Sequence, residues 1–249
     1  MTDTINTTTA SDDAARSDSH DRAHHSRRDG SFARDSSERE RRDTLSEKHR
    51  EMLLIESSIS LEVVSARPYR TIDITTVQKL GFPTIPEQAG TEFLQIALYS
   101  VAGGPSTRCE IRPDVPRTLK DTNGRPRTVK YEGEPRKPPI LGVHPNTLSL
   151  LPDVRVPLFL TEGTRKADAG VSRGLCVISL AGVWAWLHNK IALPDWRLIP
   201  LKGRTVYIAF DSDVTVKKSV ARALRELGGF LELRGATVKV IDWAAGFNG

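Results

Sequence analysis

The sequence is poor in cysteine and has no long apolar segment. Its 249 residues include two cysteines, Cys109 and Cys176, which lie far apart along the chain. Two distant cysteines exclude a zinc finger or ribbon built from this chain alone and argue against a disulfide framework. No stretch approaches the roughly 20 apolar residues that a transmembrane helix needs. The composition therefore predicts a soluble, cytoplasmic protein with no membrane partner.

Large apolar side chains are almost missing from the first 43 residues. This segment consists mainly of Ser, Thr, Asp, Arg and His, with Ile5 and Phe32 as the large apolar exceptions. Such a composition cannot bury enough apolar surface to fold, so we expect residues 1–43 to form a disordered tail. The segment has no apolar h-region and carries acidic residues throughout, which does not fit a targeting peptide.

The rest of the chain has a surplus of positive charge. Residues 44–249 carry 28 basic and 21 acidic residues. A surplus of this size favours a polyanionic partner such as nucleic acid, but solvated lysines and arginines on an ordinary surface explain it almost as well.

Residues 44–150 form the first predicted ordered region. A capping-box pattern at Thr44 predicts that order begins there, strand patterns cover residues 93–101 and 106–112, and Asn123-Gly124 is a strong hairpin signal. Basic side chains interleaved with an aromatic residue fit phosphate contact and base stacking. A solvated antiparallel surface is the alternative interpretation. The candidate nucleic-acid contacts of this hairpin region are Arg125, Arg127, Lys130 and Tyr131.

The pattern in residues 151–249 is clearer. Apolar strand signals at 154–160, 175–180, 206–210 and 237–241 alternate with helical signals at 164–170 and 214–227, the latter followed by a weak break at Gly228-Gly229. Strands that alternate with helices predict an α/β fold in which helices flank a parallel sheet.

Three carboxylates follow strands of this predicted sheet. Glu162 comes at the end of the first strand, and Asp211 and Asp213 follow the third. If these two strands are neighbours, the carboxylates converge at the carboxyl edge of the sheet, where a divalent cation would relieve their repulsion. The alternative for Asp213 is a helix cap. Arg165 and Lys166 could contact phosphate or could lie on an exposed helix surface.

These motifs resemble the Toprim fold of DnaG-type primases and topoisomerases, in which Glu-Gly follows the first strand and Asp-x-Asp the third. The resemblance is closer to a Toprim-like domain of unknown function found with primase and helicase genes of phages, plasmids and integrated elements. Strong resemblance covers residues 155–243, and that of 91–150 is weaker. It is carried by three stretches: residues 160–168 (LTEGTRKAD), 178–184 (ISLAGVW) and 210–213 (FDSD). The segment with Lys130-Tyr131-Glu132 and Pro135-Arg136 resembles the piece that precedes the Toprim core in these primase-like proteins.

The resemblance implies roles for individual residues. Glu162 would be the general base and a metal ligand, Asp211 and Asp213 would bind Mg²⁺ or Mn²⁺, and Lys166 and Asp168 would support the site. The expected activity is primase-type nucleotidyl transfer on single-stranded DNA or an RNA–DNA primer-template, with a replicative helicase as a further partner. The chain lacks the zinc module of many primases and a helicase P-loop, and it ends directly after the last predicted strand, as an abridged relative would.

Two other functions compete with a primase. Asp211-Ser212-Asp213-Val214-Thr215 also fits the start of a haloacid-dehalogenase-type phosphatase, with Asp211 as nucleophile and Asp213 as acid/base. That fold needs later catalytic strands for which little chain remains, and it gives Glu162 no role. The second alternative is a Toprim-like scaffold that binds nucleic acid or a helicase without catalysis.

Overall fold

The computed structural model describes residues 44–104, 107–120, 124–210 and 218–241, with the main chain only at Lys218. The predicted tail, residues 1–43, lies outside the described residues. Within the described part, no helix is both long and apolar enough to cross a bilayer.

Five α-helices lie in the described residues, three before the predicted boundary at residue 150 and two after it. The first continues directly into a π-helical turn at Met52–Glu56, and short 3₁₀ helices occur at Pro86–Gln88, Pro145–Leu150 and Pro194–Leu198. The α-helices are α1 (Glu47–Glu51), α2 (Leu61–Ala66), α3 (Ile74–Lys79), α4 (Thr164–Val171) and α5 (Lys218–Leu233).

The strands are short and most belong to one sheet. In chain order they are β1 (Tyr69–Ile72), β2 (Phe93–Ser100), β3 (Arg108–Pro113), β4 (Arg117–Lys120), β5 (Pro126–Val129), β6 (Glu132–Gly133), β7 (Gly142–Val143), β8 (Leu158–Glu162), β9 (Cys176–Leu180), β10 (Leu187–His188), β11 (Ile191–Ala192), β12 (Thr205–Ala209) and β13 (Thr237–Val240).

One nine-stranded sheet runs through both halves of the chain. Its order is β13-β12-β8-β9-β7-β2-β3-β6, and β1 pairs with β2 beside β7. The strands β13, β12, β8 and β9 are parallel, whereas the pairs from β9 through β7 to β6 are antiparallel. The prediction of an α/β fold with a parallel sheet flanked by helices is confirmed. The domain boundary near residue 150 stays a prediction, but strands from both sides of it share this sheet.

Several predicted elements differ in detail from the structure. Helix α1 begins after Ser46, whose hydroxyl accepts from the His49 N–H, so Thr44 is not its N-cap. Helix α5 continues to Leu233 through Gly228-Gly229, and the predicted break there is wrong. Buried Leu227 and Leu231 on both sides of the pair hold this helix on the core, and packing of this kind overrides the low helix propensity of glycine.

The main core lies on one face of the parallel strands. Alternate residues of β8, β9 and β12 are buried there together with Leu227 and Leu231 of α5 and the fully buried Trp196. The opposite face is covered by α4, which approaches so closely that a Cβ on Gly170 would lie 2.9 Å from Cγ2 of Val177. Helices therefore cover both faces of the parallel half, as buried parallel strands require.

A buried ion pair joins α4 to the first half of the chain. Arg67, directly after α2, donates from Nε to Oδ2 of Asp168 at 2.6 Å and from Nη2 to Oδ1 at 3.1 Å, and the Tyr69 hydroxyl donates to Oδ2 at 2.6 Å. The remaining Arg67 donors reach the carbonyl oxygens of Ala97 and Val143. Burial disfavours the charged guanidinium, yet Asp168 holds the pKa of Arg67 above its ordinary value.

Replacing Arg67 should destabilise the fold strongly. In the Arg67→Met variant, Asp168 stays buried without its cation, and breaking a buried pair from one side costs about 3 kcal/mol or more. Urea unfolding at neutral pH measures the loss. Arg155→Met is the matched control, since Arg155 pairs with Asp153 on the surface. Its stability should not change measurably, and equal losses in both variants would contradict a central role for Arg67.

Candidate functional site

Glu162 lies at the carboxyl end of the central parallel strand. It is the last residue of β8, which has β12 on one side and β9 on the other. The register pairs Glu162 with Leu180 of β9 and Thr161 with Ala209 of β12. The Thr161 hydroxyl also donates to the Ala209 carbonyl oxygen at 2.9 Å. The ends of three parallel strands therefore meet at Glu162.

A glycine turn fixes the position of Glu162. Gly163 has a φ of 80°, a backbone conformation that residues with a Cβ rarely adopt. Its N–H donates to the Leu180 carbonyl oxygen at 2.9 Å, and α4 begins at the next residue, Thr164. The strand thus passes into the helix within one residue, which places Glu162 at the carboxyl edge of the sheet, where it pairs with β9 while the preceding Thr161 pairs with β12.

The two predicted aspartates, Asp211 and Asp213, lie outside the described residues. The structure describes β12 up to Ala209 and the buried Phe210 that follows it. The first and third predicted strands are neighbours, since β8 and β12 pair directly, so the condition for the carboxylates to converge is met. The convergence of all three carboxylates stays a prediction.

Arg165 is engaged by the first half of the chain. Its Nε donates to Oγ of Ser57 at 2.9 Å, Nη1 donates to the Tyr131 hydroxyl at 3.1 Å, and Nη2 donates to the Met52 carbonyl oxygen at 3.2 Å. Lys166, one residue on, is exposed. Phosphate contact by Arg165 or Tyr131 stays a prediction, and in this structure the two side chains hold α4 against the π-helical turn.

Asp168 points away from solvent and into the ion pair with Arg67. It is fully buried. Asp168 therefore acts on the site through its helix: it anchors α4, which begins two residues after Glu162.

The predicted hairpin strands pair, and exposed basic residues lie on them and directly after them. Strands β4 and β5 pair from Arg117 opposite Val129 to Lys120 opposite Pro126. Arg117 forms an ion pair with Glu132 at the base of this hairpin. The exposed basic residues that follow the turn are Arg125, Arg127 and Lys130.

A cavity of about 280 Å³ lies beside the end of β9. Its wall includes Thr164 of α4 and Ser179 and Ala181, the residues on either side of Leu180, together with side chains from the first half of the chain. The polar and charged residues that the first half contributes are Arg108, Glu110, Glu134 and Lys137. The cavity is therefore built from both halves of the chain at their junction.

Glu110 is the buried acid of this cavity. Only 5% of the residue is exposed, and its Oε1 has no hydrogen-bond partner among the described residues. Burial raises the pKa of Glu110, and the nearby Thr164 hydroxyl and the Arg67 guanidinium counteract part of that rise. The sequence analysis missed Glu110 because it lies inside a strand pattern. An acid on the face of β3 opposite to apolar Cys109 and Ile111 was the available signal.

A second cluster of potential ligands lies at the other end of the sheet. Side-chain atoms of His49, Glu92 and Asp114 come within 4.8 Å of one another. Asp114 already accepts from Lys48 Nζ at 2.7 Å and lies 3.1 Å from Nε2 of His49. Glu92 precedes β2 and Asp114 follows β3, so this cluster is separate from Glu162, and we assign it no metal.

The fold resembles that of a known primase. The chain superposes on the solved catalytic core of DnaG with a TM-score of 0.50 and 14% sequence identity, and the match covers 83% of this chain and 69% of the DnaG chain. The protein therefore has a primase-like fold.

Two sequence comparisons concern the second half. Residues 149–249 match a family described as a domain of unknown function, DUF3854. An uncharacterised protein of Picosynechococcus sp. is 30% identical over an alignment of 102 residues, and the match covers 35% of this chain and 10% of that protein. The match thus spans about a tenth of that relative's length.

Removing the buried carboxyl of Glu110 should change how stability depends on pH. Because the pKa of Glu110 is raised in the folded protein, the wild type loses stability as pH rises from the ordinary glutamate pKa towards the folded value. Glu110→Gln has no such titration. We expect the variant to gain stability relative to wild type as pH rises above the ordinary glutamate pKa, measured by urea unfolding at a series of pH values. A difference that is constant with pH would contradict the raised pKa.

Proposed function

We propose that this protein is a metal-dependent nucleic-acid enzyme of the primase type, which transfers nucleotides on single-stranded DNA. The observation that supports this most is the position of Glu162 at the carboxyl end of β8, beside the strand that leads into Asp211 and Asp213. This arrangement occurs in a fold similar to the DnaG catalytic core. The proposed setting is the replication or mobility of a phage, plasmid or integrated element.

The carboxylates suit a divalent cation. Glu162, Asp211 and Asp213 would hold Mg²⁺ or Mn²⁺, since hard oxygen ligands match these ions. The bound metal would neutralise phosphate oxygens and lower the pKa of a coordinated hydroxyl. Glu162, which pairs with β9 and is followed by the Gly163 turn, would accept the proton of the attacking hydroxyl.

The basic hairpin would contact the nucleic acid. Arg125, Arg127 and Lys130 are exposed along β4–β5 and the residue that follows, where charges can track a phosphate backbone. The partner would be single-stranded DNA or an RNA–DNA primer-template, and a replicative helicase is the proposed protein partner.

A binding module without catalysis is the second candidate. It is favoured by one observation: Arg165, a candidate phosphate contact because it follows Glu162-Gly163, is instead hydrogen-bonded to Ser57, Tyr131 and the Met52 carbonyl oxygen. A scaffold that uses these side chains for internal contacts could bind a strand or a helicase through the hairpin alone.

Replacing Glu162 should separate the two candidates. Glu162→Gln keeps the size of the side chain and removes the proton acceptor and one metal-binding charge. We expect template-directed synthesis to fall by at least about 100-fold, the usual loss when a general base is removed, with the unfolding midpoint nearly unchanged. Gel analysis of radiolabelled primers with Mg²⁺ and nucleoside triphosphates measures the product.

Glu87→Gln is the matched control, because Glu87 is an exposed acid near the opposite end of the sheet. It should synthesise product at the wild-type rate. No product from metal-replete wild type that still binds single strands would reject the enzyme and leave the binding module. Unfolding of the Glu162→Gln variant would show that Glu162 is needed for the fold.

Neutralising the hairpin should weaken strand binding in a salt-dependent way. Arg125→Gln/Arg127→Gln removes two exposed cations, and each lost phosphate contact lowers the slope of log affinity against log salt by about 0.7 for a single strand. Fluorescence anisotropy of a labelled oligonucleotide at several salt concentrations measures this slope.

Arg70→Gln/Lys79→Gln removes the same charge from another exposed surface and serves as control. The control should keep the wild-type slope. The same decrease in both double variants would indicate a general charge effect and would exclude the hairpin as a specific contact.

A further inference from the structure

The cavity beside the end of β9 is lined by a buried carboxyl group that has one oxygen without a hydrogen-bond partner in the described part of the chain. Glu110 lines the cavity, and only 5% of the residue is exposed to solvent. Its Oε1 has no hydrogen-bond partner among the described residues. A buried polar atom without a partner costs about 1–3 kcal/mol. The protein therefore maintains an acceptor that a bound group with a donor could satisfy.

The same cavity has cations in its wall. Lys137 Nζ lies 2.5 Å from Oε2 of Glu134 and remains half exposed, and Arg108 donates from Nη1 to the Pro138 carbonyl oxygen at 2.8 Å. Glu134 is itself held by the Cys109 N–H at 2.9 Å. A ligand that combines an anionic group with a hydrogen-bond donor matches these surroundings.

The lining residues and the volume of the cavity limit the kinds of ligand that it could bind. Among its lining residues, all within the described part of the chain, none is aromatic, so the wall offers no platform for stacking a base. Its volume of about 280 Å³ lies just below the roughly 300–1,000 Å³ of pockets that enclose a whole small molecule. Two hydroxyls, two carboxyl groups and two cations in a small space suit a sugar with its phosphate.

We propose that this cavity is a subsite for the sugar–phosphate part of a nucleotide, in which Glu110 accepts a hydrogen bond from a sugar hydroxyl and thereby determines specificity. The proposal rests on the proposed function, because the nucleotide would be the substrate of the site at Glu162. Thr164 lines the cavity and lies two residues after Glu162, so the cavity is close in the chain to the proposed metal site. Lys137 and Arg108 would face the phosphate.

Binding measurements on the full chain test the role of Glu110. Isothermal titration calorimetry with Mg²⁺ would compare ATP with 2′,3′-dideoxy-ATP, which lacks both sugar hydroxyls. We expect the wild type to bind ATP about tenfold more tightly, as expected for one hydrogen bond to a carboxyl group. In Glu110→Leu, which removes both carboxyl oxygens, the two affinities should become equal. The two monodeoxy nucleotides then identify the hydroxyl.

Thr147→Val is the matched control, since the Thr147 hydroxyl is also buried without a partner in the described residues but does not line this cavity. It should keep the tenfold preference. If Glu110→Leu fails to fold, Glu110→Gln replaces it, and its preference should fall below the wild-type value.

Three results would overturn the inference: no nucleotide binding by wild type, equal affinity of wild type for the two nucleotides, or an unchanged preference in the Glu110 variants. Primer synthesis distinguishes this failure from that of the proposed function. If the wild type makes product but binds both nucleotides equally, the proposed function is supported and the sugar–phosphate subsite is rejected. If the wild type makes no product but prefers ATP over the dideoxy nucleotide in a Glu110-dependent way, the subsite is supported and the proposed function is rejected.

Discussion

The buried contact between Arg67 and Asp168 is the interaction on which the arrangement of the two halves depends. Arg67 follows α2 in the first half, whereas Asp168 lies on α4 in the second half. Both side chains are excluded from water, so their charges must neutralise each other, and every guanidinium nitrogen has an acceptor. Because α4 starts one residue after Gly163, this pair also fixes the direction in which the chain leaves Glu162.

The short strand β7 also joins the two halves of the chain, through backbone pairing. It pairs with β9 on one side and with β2 on the other, so a single sheet passes from the parallel half to the antiparallel half. Gly142 allows this approach, since a Cβ there would lie 2.3 Å from Oγ of Ser179. The cavity that contains Glu110 forms at this junction, which explains why it draws residues from both halves.

The sequence predicted the parallel half well and the junction poorly. Apolar strand runs and the Glu-Gly turn are local signals, and they located β8, β9, β12 and Glu162 within a few residues. Residues 135–145 are rich in proline, which is typical of an extended connector, yet β7 lies inside them and is only two residues long. The partners of Arg67 and Glu110 depend on contacts between residues distant in the chain, and no local pattern encodes these. Asp168 matched a motif, but its burial by Arg67 could not be inferred from that motif.

Glu162 is proposed to belong to a metal site for nucleotidyl transfer. Anomalous diffraction from crystals of the full chain grown with Mn²⁺ tests it most directly, because the manganese position is seen without assuming any activity. We predict a manganese peak bound by the Glu162 carboxylate, with Asp211 or Asp213 as a further ligand. A peak at His49 and Asp114 instead, or density that leaves Glu162 without metal at saturating Mn²⁺, would contradict the claim.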